Sequence, residues 1–181
     1  MNCELPESLM VCGVKRLIRT DYRAVLDICA ALSEVNATDF EKSIAALKIL
    51  YVDFDDIPYK HYTEALRQCF WFINCGEGEK KSTSAKLMDW EKDFKYIVSP
   101  VNRVIGTEIR SLKYLHWWTF IAAYYEIGDC TFAHIVRIRE KKARNEKLNK
   151  QEEKWYRQNR DIVVIKTEYT AAEEELIKAW M

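Results

Sequence analysis

Cys130 and His134 lie four residues apart, a spacing that puts two zinc ligands on one helix face. A site needs two further ligands, and no CxxC or HxxxH pattern supplies them. A buried thiol beside a partly exposed histidine is therefore the preferred reading. Cys69 and Cys75 are six apart around a predicted helix end and complete no metal pattern. The run DFDD at 53–56 clusters carboxylates, as a magnesium site would, but falls between two helices where Asp commonly caps and turns. GEGE at 76–79 lacks the Lys-Ser pair of a phosphate-binding loop. His116 stands beside two tryptophans, and a packed imidazole fits that setting better than a base. We therefore expect no enzyme activity, no catalytic residues, no metal and no cofactor.

The richest stretch is LHWWTFIAAYYEIGD, 115–129. From 112 to 125, eleven of fourteen residues are apolar or aromatic. A membrane span needs about 20, and this run carries Lys113, His116 and Glu126. Leu115, Trp118, Ala122 and Tyr125 share one helical face; Tyr114, Trp117, Ile121 and Tyr124 share the next. A helix apolar on two faces is buried over most of its circumference, so this reads as a core helix.

The elements that must position it follow from periodicity. SLMV and VKRLI flank Cys12-Gly13, predicting a β-hairpin. Helix one begins after Thr20. Thr38 and Glu41 form a capping box for helix two, with Phe40, Ile44, Leu47 and Tyr51 inward. Helix three carries Tyr62 to Ile73 and ends at the loop 74–84. Helix four is placed at about 85–98, interrupted at Ser99-Pro100. Gly128 stops the aromatic helix, and the next starts near Asp129 or Thr131. Asn149 and Glu152 cap a short helix holding Trp155 and Tyr156. DIVVIK, 161–166, reads as a strand or an extended link, and Thr170 with Glu173 caps a last amphipathic helix. The fold expected is mainly α: a single-domain helical bundle of about seven or eight helices with a short N-terminal β-hairpin over 1–166, then a tail over 167–181.

Across the chain 28 basic residues balance 28 acidic ones, so no global field attracts nucleic acid or anionic lipid. Six cysteines form no recognisable disulfide framework, and MNCELPESLM does not read as a secretory signal, so a reducing cytoplasm is expected. Segment 137–160 is locally basic, with ten Lys or Arg against four Glu. It could lie on phosphates, which keeps a nucleic-acid-binding module open as the alternative. Glu140–Arg144, Glu146–Lys150 and Glu153–Arg157 fall at helical spacing and favour a solvated face instead.

The landmarks resemble the bacteriophage gene-product-fifteen family of Gram-positive tailed phages and prophages, from about Leu5 to Ile165. The carriers are LPESLMVCGVKRLIRTDYRAVLDI, IPYKHYTEALRQCFWFINCGE, LMDWEKDFKYIV (Asp89, Trp90 and Asp93) and, most specifically, LHWWTFIAAYYEIGDCTFAHIVRIR. The hairpin turn is Cys-Gly where Asn-Gly is usual. The resemblance implies a tail assembly protein of the host cytoplasm, a chaperone binding the tape-measure protein and in addition tail-tube subunits or further copies of itself. Candidate partner contacts are Trp71, Trp117, Trp155, Trp180, Arg137, Arg139 and Lys141.

Overall fold

A computed structural model describes residues 4–78 and 86–165 of the chain. Strands β1 (Ser8–Val11) and β2 (Val14–Leu17) are followed by helices α1 (Tyr22–Ser33), α2 (Asp39–Leu50) and α3 (Tyr62–Ile73). Then come α4 (Trp90–Ile105), α5 (Trp117–Tyr125), α6 (Thr131–Ala143), α7 (Lys150–Gln158) and α8 (Arg160–Val163). Eight helices and one two-stranded sheet among the described residues make the mainly helical fold that the periodicity predicts.

The chain divides into two compact units, and neither is contiguous in sequence. In the described residues the first comprises 4–78 and 112–122, the second 86–111 and 123–165. Helix α5 gives its first six residues to one and its last three to the other.

In the first unit β1 and β2 pair antiparallel with Val11 opposite Val14. Cys12 and Gly13 both take positive φ, 46° and 81°, as a two-residue turn matched to strand twist requires. Leu9 and Val11 point into the core, whereas Met10 points out. The N–H of Arg19 donates to the carbonyl of Leu50, and that of Val52 to Leu17, so the exit of β2 pairs with the end of α2. The Arg19 guanidinium donates to the carbonyls of Lys48, Ile49 and Tyr51 at 2.8–3.1 Å, three acceptors that a helix end leaves open. Helix α1 starts at an Asp21 cap, one residue after the expected Thr20, whose hydroxyl instead bonds that of Tyr114 at 2.7 Å. The Thr38–Glu41 capping box is present. Phe40 is 58% exposed, contrary to its predicted inward position. It shares the stripe of Leu47 by spacing, but the buried residues of α2, Ala46, Leu47 and Leu50, all fall in its second half.

In the second unit α4 starts five residues later than predicted, at an Asp89 cap, and runs through Pro100 to a left-handed Gly106. Proline inside a helix removes one backbone bond and costs about 3 kcal/mol. Pro100 is itself buried with Ile97, Val98 and Val101, and that apolar face offsets the loss. Asn102 and Glu108 then fix the turn after α4. Asn102 Oδ1 accepts from the N–H of Ile109 at 2.9 Å and its amide donates to Glu108 at 2.9 Å. Segment 161–166 was expected as a strand or extended link; its first three residues instead lie in the short helix α8. The Thr170–Glu173 cap and the helix expected after it lie outside the described residues.

The Arg110 side chain, then its backbone N–H, then Asn102 hold the Glu108 carboxyl down from 4.5 to about 2. A depressed carboxylate stabilises the fold fully above its ordinary value and loses that contribution as the pH falls through its folded value. Glu108→Gln is therefore expected to reduce the loss of stability between pH 4.5 and 2, read as the urea midpoint against pH. An unchanged acid limb would contradict this.

Candidate functional site

The carbonyls at a helix C-terminus have no partner in their own helix. At the end of α3 the two adjacent tryptophans of α5 supply donors. The indole N–H of Trp117 donates to Ile73 and that of Trp118 to Phe72, both at 2.9 Å. His116 fixes their approach. Its Nδ1 accepts the N–H of Trp118 at 3.0 Å, so Nε2 carries the hydrogen and donates to the carbonyl of Pro6 at 3.2 Å. Asp21 accepts the N–H of Leu115 at 3.1 Å, and Leu115 accepts that of Tyr22 at 2.9 Å. Tyr22 stacks on Phe120 with ring centres 4.9 Å apart. The imidazole is packed and fully bonded, as expected.

Trp117 is 2% exposed and is therefore core rather than a surface anchor. Its ring stacks on Phe120 at 5.6 Å, and the cap it forms requires that position. Trp118 is half-buried, tilted against Trp71 at 5.6 Å. Gly76 turns beneath both rings with φ +87°. Trp71 itself is 37% exposed. Trp71 and Trp118 line an open cleft of about 790 Å³ with residues 4–8 and Lys15. Ser8 and Lys15 belong to the outward face of the hairpin, and the register puts Met10 and Leu17 on that same face. Both are more than half exposed, as Leu5 nearly is. The cleft and the hairpin thus form one surface on which Leu5, Met10, Leu17, Trp71 and Trp118 are interleaved with Glu4, Glu7, Ser8 and Lys15. Of it, the sequence singled out Trp71 alone. The missed signal is that LMV and VKRLI carry apolar residues in both alternation phases, more than one buried face can absorb.

In the second unit Arg139 is 8% exposed and Asp93 1%. The Arg139 guanidinium donates to both Asp93 oxygens, at 2.6 and 2.9 Å. It also donates to the carbonyls of Leu87, Ile162 and Val163, at 3.1, 2.8 and 2.7 Å. Asp93 accepts the N–H of Asp89 as well, at 2.9 Å. Arg139 is thus internal and not a partner contact; its approach from α6 ties together α4, α8 and the chain before α4. Lys141 pairs with Glu152 at 2.7 Å and Arg137 with Asp129 at 2.9 Å. Glu140–Arg144 and Glu153–Arg157 form as spaced. Glu146 instead lies 3.9 Å from Arg144, because α6 ends at Ala143 and α7 begins at Lys150.

Cys130 caps α6, its sulfur accepting the N–H of Ala133 at 3.4 Å, while the His134 ring meets Trp155 edge-on at 4.4 Å. The two are therefore turned to separate tasks. The DFDD run is likewise engaged: Arg16 donates to Asp53 at 2.7 Å and to the carbonyl of Asp56 at 2.9 Å. Burial pushes the thiols of Cys29 and Cys69 up to about 11 and about 12, away from the thiolate a nucleophile needs. Trp155 is half-buried, and Trp180 lies outside the described residues. No helix among the described residues is long and apolar enough to cross a membrane.

The family model described as "Bacteriophage Gp15 protein" matches residues 1–165, and the chain belongs to that family. Neither a curated protein nor a solved structure matches it.

Removing one partner of a buried ion pair leaves the other charge uncompensated and costs about 3–5 kcal/mol. Asp93→Ala is expected to lose that much in urea unfolding, and Asp93→Leu with Arg139→Met to lose clearly less. A double variant as damaged as the sum of the single changes would contradict the coupling.

Proposed function

We propose that this phage protein is a non-enzymatic tail assembly factor, a chaperone that binds the tape-measure protein in the host cytoplasm while the tail is built. One observation carries the reading. The conspicuous polar and aromatic residues, His116, Trp117, Asp93 and Arg139, are engaged within the chain, and a surface of apolar and aromatic side chains set among charged ones is left outside. Family membership narrows the setting to phage. A tape-measure chain is long and helical, with apolar stripes that aggregate until tube subunits polymerise round it. A cleft floored by Trp71 and Trp118 and continued by Leu5, Met10 and Leu17 suits such a stripe, as grooves suit amphipathic helices. Half-exposed tryptophans are the side chains that most often dominate such contacts.

The basic segment 137–160 supports a nucleic-acid reading less well. Arg137, Arg139, Lys141, Arg144 and Arg157 already hold carboxylates of the same chain, five of its ten cations.

Pull-down of co-expressed tape-measure protein tests the assignment. Trp71→Ala combined with Leu17→Ser is expected to lower capture at least about tenfold, the loss of about 1.4 kcal/mol, while Phe40→Ser leaves it unchanged. Equal capture by all three proteins would remove this surface from the interface.

A further inference from the structure

The hairpin has two edges, and the described residues close only one of them. Beyond β2, the N–H of Val52 donates to the carbonyl of Leu17, and the Arg16 guanidinium reaches Asp53 and the carbonyl of Asp56. The other edge is β1. The N–H of Ile18 donates to the carbonyl of Glu7, and Val11 lies opposite Val14. Backbone groups alternate in direction along a strand. Glu7, Leu9 and Val11 therefore turn theirs to β2, whereas Ser8 and Met10 turn theirs away. Among the described residues the N–H and C=O groups of Ser8 and Met10 have no hydrogen-bond partner. Met10 is also 53% exposed. An open edge of this kind is a template for one more strand. Only an extended polypeptide offers donors and acceptors at the matching spacing.

The cleft specifies that polypeptide further. It is lined by Ser8 itself, by residues 4–7 and by Trp71 and Trp118, so it continues the edge past the start of β1. A strand advances about 3.3 Å per residue, and about five residues of a partner run from Met10 past Ser8 into the cleft. Its side chains on the outer face extend the rows Leu17–Ser8 and Lys15–Met10, and the one that enters the cleft meets indole rings. Glu4 and Glu7 outnumber Lys15 on the cleft walls. Glu7 is exposed and has no cation partner among the described residues. The segment that fits is extended, apolar at alternate positions, with Lys or Arg at the end that reaches Glu7. We propose that a segment of this kind in the tape-measure partner adds to β1 as the next strand of the sheet. The inference rests on the tape-measure reading and specifies how the partner is held at this surface, through its backbone.

Two substitutions at Met10 separate backbone from side chain. Met10→Ala keeps the outward N–H and Met10→Pro removes it, and neither takes away a β1–β2 bond. In pull-down of co-expressed tape-measure protein, Met10→Pro is expected to capture about tenfold less than Met10→Ala. Glu7→Lys should lower capture about threefold at low salt. Hydrogen exchange of the unaltered complex, followed by mass spectrometry on peptides spanning 5–11, serves if Met10→Pro unfolds the hairpin. The Ser8 and Met10 amides are expected to exchange at least about tenfold more slowly there than in the free protein. Equal capture by the two Met10 variants, or unchanged exchange over 5–11 in the complex, overturns the strand and leaves the tape-measure reading standing. Unchanged capture by Glu7→Lys overturns the basic end assigned to the segment. No capture by the unaltered protein overturns both the reading and this inference. Slow exchange of the two amides in the free monomer would mean that the chain covers its own edge, and slow exchange that requires dimerisation in sedimentation would give the edge to a second copy; either overturns the proposal.

Discussion

A guanidinium withdrawn from water must find an acceptor for each of its five N–H groups, or its burial costs several kcal/mol. Arg139 finds them from three directions: the Asp93 carboxylate on α4, the carbonyl of Leu87 before that helix, and the last carbonyls of α8. Much of the second unit follows from this requirement. Helix α8 has to end where Ile162 and Val163 can present their oxygens, and α4 has to start where Asp93 faces inward from its first turn. The first unit obeys the complementary rule. The open carbonyls at the end of α3 need donors, and Trp117 and Trp118 bring indole N–H groups to them. One unit is organised around donors seeking acceptors, the other around acceptors seeking donors.

These two requirements explain why the most distinctive sequence features are adjacent pairs and short spacings. Asp89, Trp90 and Asp93 open α4, and the Ile-x-x-Ile-Arg run ends in Arg139. The structure joins them across 46 positions of sequence. The Trp-Phe pair of α3 and the His-Trp-Trp run of α5 meet in the same way. Residues that look catalytic in isolation, a histidine beside tryptophans or an aspartate pair, are absorbed by internal bonds. What they leave outside includes a hairpin face with exposed Met10 and Leu17, beside a cleft lined by Trp71 and Trp118.

Periodicity and capping made most elements legible before any coordinates. The Cys12-Gly13 turn, the Thr38–Glu41 box, the span of α3 and the Asn149–Glu152 cap rest on local physics that a single segment contains. The failures were non-local. Ser99-Pro100 reads as a break because proline lacks an amide, yet buried neighbours carry α4 through it. DIVV has strand-like composition, and its helix depends on Arg139, more than twenty residues away. Trp117 stands among the candidate partner contacts in the sequence, yet it is core. Its burial is set by the carbonyl of Ile73, which no periodicity reveals. Phe40 shows the reverse case, a stripe residue at a helix end where the packing has run out.

The central claim is that these residues build a body whose outside holds polypeptide. Native mass measurement of the protein purified after co-expression with the tape-measure protein addresses it most directly. The account predicts a complex containing this chain and the tape-measure protein, with no added small-molecule mass. A chain recovered alone, or carrying a bound nucleotide, metal or metabolite in stoichiometric amount, would contradict it.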